Sequence, residues 1–153
     1  MGQRLITVCS KRKAHESKKS STTDLKMSYD NIIGTKEGLS NMIGKVFTSV
    51  TSTGREMIFE NATERFVFLH EQDCCESVEI YDIVGDIEDL ANTPILIADE
   101  VSGEIPADYE SYESSTWTFY KFATFKGWVD VRWLGESNGY YSESVSLEYE
   151  KLA

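Results

Sequence analysis

The densest group of chemically reactive side chains lies at residues 70–76, which read His-Glu-Gln-Asp-Cys-Cys-Glu. Imidazole and thiolate groups bind zinc and serve as bases or nucleophiles, so this segment is the first candidate for a site. Structural zinc usually needs four ligands with spacing such as Cys-x2-Cys, whereas Cys74 and Cys75 are adjacent and would point to opposite faces of a strand. The neighbouring carboxylates disfavour a thiolate. We therefore predict reduced thiols without metal, and His70 at a sheet edge or in a hydrogen bond.

A second group of carboxylates follows at Asp82, Asp86, Glu88 and Asp89, and could surround a hard cation such as calcium. The spacing does not match an EF-hand loop, and helix capping explains the same residues. Many pairs of carboxylates could in principle catalyse glycoside hydrolysis, but that reaction requires a particular distance between the two carboxylates, which the sequence does not give. The sequence holds no Gly-x-Gly-x-x-Gly or Walker loop. Residues 135–139 read Gly-x-Ser-x-Gly, but we expect them between two strands and not before a helix, where that motif would place a nucleophile, so we predict no catalytic motif and no cofactor.

Tyr140 and Tyr141 stand beside an Asn-Gly pair near the C-terminus. Exposed tyrosines offer a large contact area with little loss of entropy, which suits recognition; alternatively, one packs and the other covers the sheet edge. The candidate binding residues are accordingly those of the first segment and of this loop: Asp73, Cys74, Cys75, Glu76, Trp133, Ser137, Asn138, Gly139, Tyr140 and Tyr141.

Charge is distributed unevenly along the 153 residues. Residues 1–27 hold seven Lys or Arg against two acids, and the other 126 residues hold eight against 24. Nothing between Arg65 and Lys121 is basic, although that window carries 14 acids. Such a surface repels phosphate, so we predict that the folded part does not bind nucleic acid directly. A protein partner that is basic or itself binds nucleic acid, or a cation, fits this charge better.

Composition divides the chain into two regions. Residues 1–27 are rich in Ser, Thr and Lys and are predicted to be a disordered basic tail, with a nucleic-acid-binding arm as the alternative and Met27 as a possible translation start. Residues 28–153 are predicted to form one acidic globular domain. No apolar run is long enough to cross a membrane, and no signal peptide is recognisable, so the predicted location is the cytoplasm.

The predicted fold class is mainly β, or α+β at most: a single compact antiparallel sheet domain of about eight strands built from hairpins, with one or two short helical turns. Two hairpins are expected in the last third, with turns at Lys126-Gly127 and at Asn138-Gly139. A meander of four strands is expected between residues 46 and 83, and a helical turn at 86–90. The apolar strand at 95–101 is predicted to be central, and the following acidic loop, 102–115, to be mobile.

Three segments resemble a known group of proteins: Asp73–Val78 with Asp82–Asp86 after it, Thr116–Lys121, and Arg132–Glu143. Together they resemble a widespread set of small, uncharacterised proteins encoded mainly by bacteriophages and prophages, over about residues 38 to 147. The resemblance implies a phage origin and expression inside an infected bacterium. It implies no activity, cofactor or catalytic residue.

Three hypotheses for the function follow. The first is a non-enzymatic protein that binds a host or phage protein through its acidic surface and tyrosine loop. The second is a metal-dependent or cysteine-using enzyme centred on His70, Asp73, Cys74, Cys75 and Glu76. The third is a minor virion component, although the chain lacks the repeats and heptads common in fibres.

Overall fold

The computed structural model describes residues 32–103 and 114–153. The predicted tail, 1–27, lies outside the described residues, as does most of the acidic loop predicted at 102–115. The expectations for those two segments and for the domain boundary at residue 28 therefore stay predictions.

Nine strands, one α-helix and one 3-10 turn occur within the described ranges. The helix α1 spans Thr35–Met42 and buries Leu39 and Met42, and the 3-10 turn spans Ile87–Leu90. The strands are β1 (Ile32–Ile33), β2 (Ser49–Ser52), β3 (Glu56–Glu60), β4 (Glu64–Leu69), β5 (Glu76–Val84), β6 (Ile97–Gly103), β7 (Ser114–Ala123), β8 (Trp128–Ser137) and β9 (Ser146–Lys151).

Five strands form one antiparallel sheet in the order β1-β9-β4-β3-β2. Its meander β2-β3-β4 needs only short turns. Gly54, with φ of +88°, makes the first turn in a conformation that side-chain-bearing residues rarely adopt. At the second, the side chain of Asn61 accepts hydrogen bonds from the backbone N–H groups of Thr63 and Glu64. The conformation of Gly54 and the hydrogen bonds of Asn61 thus determine the two turns that join β2, β3 and β4.

The other four strands form a second antiparallel sheet in the order β5-β8-β7-β6. The β7–β8 hairpin that the sequence predicted is confirmed, with Trp117 opposite Leu134 and Phe122 opposite Val129. Its turn is closed by a hydrogen bond from the Thr124 backbone N–H to the carbonyl of Gly127, at 3.0 Å.

Aromatic side chains fill the space between the two sheets. Phe59 and Phe68 of the five-stranded sheet meet Tyr120 and Phe122 of the four-stranded sheet. The ring centroids of Phe59 and Phe122 are 4.9 Å apart, and those of Phe68 and Tyr120 are 4.8 Å apart. All four side chains are buried. Because buried aromatic rings contribute the largest apolar areas, this cluster holds one sheet against the other.

The prediction of a mainly β, antiparallel domain of about eight strands with one or two helical turns is confirmed. The strands are divided between two sheets. The helical turn predicted at 86–90 is present, and its start is capped as expected, since Asp86 Oδ1 accepts a hydrogen bond from the Glu88 backbone N–H at 3.0 Å.

The second predicted hairpin is wrong. β8 and β9 lie in different sheets, and residues 138–145 carry the chain from one sheet to the other. A two-residue type I′ turn needs positive φ at both central positions. Gly139 has φ of +86°, but Asn138 is not among the described residues with positive φ, so this Asn-Gly pair cannot make that turn.

Two further expectations are wrong. The fourth strand of the predicted meander, β5, pairs with β8 in the other sheet. The strand predicted to be central, β6, lies at the edge of its sheet within the described part of the chain. Its apolar character comes from the start of the segment, where Ile95 is buried in the core and its backbone N–H donates to the Lys45 carbonyl at 2.9 Å.

The chain passes between the sheets twice after β2: at residues 70–75, from β4 to β5, and at residues 138–145, from β8 to β9. We call these segments the first and second crossing. Because Glu76 is paired with Ser137 across β5 and β8, the two crossings begin or end at the same end of the four-stranded sheet.

Replacing Phe59 by Ala tests the aromatic contact between the sheets. Phe59 is fully buried, so we expect F59A to lower the free energy of unfolding by about 3–5 kcal/mol in urea denaturation. The matched control is F125A, because Phe125 is 81% exposed and should change the stability by less than about 0.5 kcal/mol. Equal effects of the two substitutions would contradict this arrangement.

Candidate functional site

The first candidate segment forms the first crossing and is organised around Glu76. Its side chain is 1% exposed. The carboxylate accepts hydrogen bonds from the backbone N–H of Asp73 at 2.5 Å, the backbone N–H of Cys74 at 3.0 Å and the His70 ring at 3.1 Å. Gln72 donates to the backbone carbonyl of Glu76. The backbone therefore wraps around a buried carboxylate, which orders the crossing.

Hydrogen bonding keeps Glu76 ionised. Burial raises the pKa of the carboxyl group, but the bonds from Asp73, His70 and Cys74 together outweigh burial, so the net pKa is lowered from 4.5. A buried carboxylate that is ionised and fully engaged by its own loop stabilises that loop.

Cys74 and Cys75 are joined to each other by a disulfide bond. The expectation of reduced thiols is therefore wrong. The argument that adjacent cysteines point to opposite faces applies inside a strand, but both residues lie in the crossing, before β5 begins at Glu76. A disulfide removes the thiolates that zinc binding or nucleophilic attack would require.

His70 links the two crossings. Its Nδ1 lies 2.7 Å from the backbone carbonyl oxygen of Ser144, in the second crossing, while Nε2 faces Glu76. Both partners are acceptors, so both contacts are hydrogen bonds only when the ring carries a proton on each nitrogen. His70 is thus the direct connection between the two segments that the sequence analysis singled out.

The second crossing is fixed by Glu143. Its Oε1 accepts a hydrogen bond from the Ser137 hydroxyl and its Oε2 accepts one from the Thr116 hydroxyl, both at 2.6 Å. Burial raises the pKa of Glu143, but bonds from Ser137, Thr116 and Ser114 outweigh it and lower the pKa. Glu143 therefore stays ionised and attaches the crossing to β7 and β8.

Gly135 allows this attachment. A Cβ atom at that position would lie 2.5 Å from the Glu143 backbone oxygen and 2.7 Å from its Cβ. Any larger residue in this part of β8 would push the second crossing away from the sheet. Gly135 thus lets the second crossing pack closely against β8.

The predicted loop residues differ in exposure. Trp133 and Ser137 are buried, and Trp133 belongs to the core. Asn138, Gly139 and Tyr140 are exposed, with Tyr140 at 86%, and the ring of Tyr140 meets the ring of Tyr141 edge-on at 5.7 Å. The loop therefore exposes Tyr140 to solvent, whereas the residues at the end of β8 that lead into it are buried.

A cavity of about 510 Å³ opens beside the second crossing. Its walls come from α1, β6, β7 and residues 141–145. Glu100, on β6, accepts a hydrogen bond from the Tyr120 hydroxyl at 2.7 Å, and burial and this bond raise the Tyr120 pKa. Neither residue was predicted. Glu100 lies in the segment that was expected to be an apolar central strand, and the alternation along β7 does not reveal whether Tyr120 lies inside.

Three exposed aromatic residues were also missed: Tyr81, Phe125 and Trp128. Phe125 and Trp128 flank the β7–β8 turn, where apolar residues at hairpin ends resemble ordinary strand residues. The described residues contain no group of three or more His, Cys, Asp or Glu side chains arranged to hold a metal ion.

Acidic residues are concentrated around β5, the strand at one edge of the four-stranded sheet. Exposed or half-exposed carboxylates precede it, lie along it and follow it, and we call them the acidic edge: Glu71, Asp73, Glu79, Asp82, Asp86 and Glu88. Only Asp82 has an ion-pair partner in the described ranges, Arg132, at 3.6 Å. The acidic edge therefore projects negative charge that is largely uncompensated.

A family model described as a domain of unknown function, DUF7448, matches residues 40–147. The chain belongs to the DUF7448 family. The matched region contains both crossings, the whole four-stranded sheet and the acidic edge. The expected membership in a family without assigned activity is thereby confirmed over almost the same residues.

Beyond DUF7448, no curated protein and no solved structure matches the chain. In the parts of the chain that the structure describes, no helix is long and apolar enough to span a membrane.

Replacing Glu76 by Gln tests the first crossing. Because folding lowers the pKa of Glu76 below 4.5, its carboxylate stabilises the fold above that pH, and the contribution is lost as the pH falls through the folded value. We expect E76Q to lower the free energy of unfolding by about 1–3 kcal/mol at neutral pH, and the difference to narrow at an acid pH below 4.5, as Glu76 takes up a proton. The control E79Q alters an exposed acid on the same strand. A loss that is the same at both pH values would contradict the assignment.

Alkylation tests the disulfide. When purified protein is denatured and treated with iodoacetamide without reductant, the peptide that contains Cys74 and Cys75 should stay unmodified, because both sulfur atoms are bonded. Prior reduction should add two alkyl groups to that peptide in the mass spectrum. Full modification without reductant would show two free thiols.

Proposed function

We propose that this DUF7448 protein is encoded by a bacteriophage or prophage and acts in the cytoplasm of the infected bacterium as a non-enzymatic binding protein. Its partner is a host or phage protein with a basic surface, of the kind that binds nucleic acid. The acidic edge is the observation that carries this proposal.

The charge balance supports a basic partner. The described residues contain eight Lys or Arg and 19 Asp or Glu, and the longest stretch without a basic residue includes the whole of β5. A strand of nine residues extends about 30 Å, so acids before, along and after it present a row of negative charges. Such a row attracts basic proteins at long range and repels phosphate.

The position of the acids supports mimicry of a nucleic acid. Carboxylates that line a rigid sheet edge can occupy the positions where phosphates would meet the partner's Lys and Arg side chains. Tyr81 is exposed in the middle of this edge and contributes apolar area among the charges. An aromatic side chain surrounded by charged residues is typical of a protein interface.

The chemistry of the first crossing also favours binding over catalysis. The cysteines bond to each other, both His70 nitrogens face local oxygens, and Glu76 is held by its own loop. These groups are engaged in ordering the segment, which places Glu71 and Asp73 at the start of the acidic edge.

Affinity capture with matched charge variants tests the proposal. Tagged wild-type protein should capture a specific basic partner from infected cells, and moderate salt or duplex DNA should release it. The variant E79Q/D86N/E88Q should lose most of this capture. The control E37Q/D99N/E150Q removes the same number of charges from α1, β6 and β9, away from the acidic edge, and should keep it.

Three outcomes would contradict the proposal. The first is no enrichment of any protein above background, and the second is equal loss of capture by the two triple variants. In the third, mass spectrometry finds the chain as a fixed component of purified phage particles, which would make it a virion protein.

A further inference from the structure

The cavity beside the second crossing shares no residue with the acidic edge and has a chemistry of its own. At about 510 Å³ it has the size of a small-molecule site, since such sites span roughly 300–1,000 Å³. It lies between the inward face of β6 and β7 and the second crossing, which Glu143 and Gly135 hold in place. The cavity is therefore built into the fold.

Most of the lining residues are polar. Among the residues that the structure describes, the walls contain seven Ser or Thr residues, two Tyr, two Glu and one Val, and no Lys, Arg or His. A phosphate or carboxylate ligand would meet two carboxylates there, and no described lining residue would pair with its charge. An apolar ligand would cover hydroxyl and carboxylate groups without hydrogen-bonding to them. The lining therefore disfavours anionic and hydrophobic ligands.

Two carboxylates line the ligand space, those of Glu100 and Glu143. Glu143 is kept ionised by the hydroxyl groups that lower its pKa. Glu100 accepts a hydrogen bond from the Tyr120 hydroxyl through Oε2. Each carboxylate oxygen can accept more than one hydrogen bond, so acceptor positions are left for a ligand.

Tyrosine completes the arrangement. Tyr141 lines the cavity and is half-buried, with its ring held against that of Tyr140. Aromatic faces attract cations, and hydroxyl oxygens accept hydrogen bonds from them. Carboxylate, hydroxyl and aromatic groups that surround one polar space are complementary to an ammonium or guanidinium group.

We propose that this cavity binds an organic cation, either a free polyamine or the Lys or Arg side chain of another protein. A neutral sugar could use the hydroxyl groups, but it would leave two negative charges in the wall without a counter-charge. The proposal does not depend on the acidic edge, because the lining residues lie on other elements.

Titration of the full chain with small probes tests the proposal. Spermidine represents the free polyamine, and blocked arginine amide represents a protein side chain; glucose and acetate are the neutral and anionic comparisons. By NMR, at least one cation should shift the signals of Tyr141 and Ser144 in a saturable manner, whereas glucose and acetate should not. Tighter binding of spermidine would favour a polyamine, and tighter binding of the arginine derivative a protein side chain.

Glu100→Gln and Asp99→Asn form a matched pair of variants. The two residues are neighbours on β6 and alternate between its faces, so both variants remove one charge but only E100Q changes the cavity. E100Q should weaken cation binding by at least about tenfold, whereas D99N should change it little. If E100Q and D99N weakened cation binding equally, the binding would be a general attraction of cations to an acidic protein, and the proposal would be overturned.

A second variant covers the case in which E100Q fails to fold. Ser102 lines the cavity on the exposed part of β6, so S102K should place an ammonium group in it and block the probes. V101K, at the exposed neighbouring position, should not. Binding of glucose in place of a cation, or no binding by either cation, would also overturn the proposal. E79Q/D86N/E88Q should retain cation binding, which separates this result from the search for a protein partner.

Discussion

The contact between the two sheets through aromatic side chains is the constraint on which the rest of the structure depends. Phe59 and Phe68 press against Tyr120 and Phe122, and this contact sets how the sheets face each other. The chain must then pass from one sheet to the other before the first strand of the four-stranded sheet, at residues 70–75, and again after β8, at residues 138–145. The candidate residues gather because these two crossings lie side by side.

Two carboxylates then order what the core brings together: Glu76, which is buried, and Glu143, which is half-buried. Glu76 holds the first crossing, Glu143 holds the second, and His70 contacts both segments. The hydrogen bonds that each carboxylate accepts outweigh its desolvation and keep it ionised. The same fold leaves other acids, those beside and along β5, in solvent. Acidic residues thus have two roles here. Glu76 and Glu143 hold the two crossings in place, and the acids of the acidic edge give the surface a negative electrostatic potential.

Local patterns were sufficient to predict most strands, the β7–β8 hairpin and the capped turn at Asp86, since alternation and turn residues act over a few positions. They could not assign strands to sheets. The Asn138-Gly139 pair looks like a hairpin turn, yet the conformation of Asn138 and the approach of Glu143 to Gly135 depend on distant parts of the chain. The sequence therefore identified both candidate segments, but not their contact, the disulfide or the cavity.

The two crossings are neighbours between two sheets that aromatic contacts hold together. Nuclear Overhauser spectroscopy of labelled protein measures this arrangement directly. We expect cross-peaks between the rings of Phe59 and Phe122 and between His70 and Ser144, where His70 Nδ1 and the Ser144 carbonyl oxygen are 2.7 Å apart. Cross-peaks that instead pair β8 with β9 as a hairpin, with those contacts missing, would contradict it.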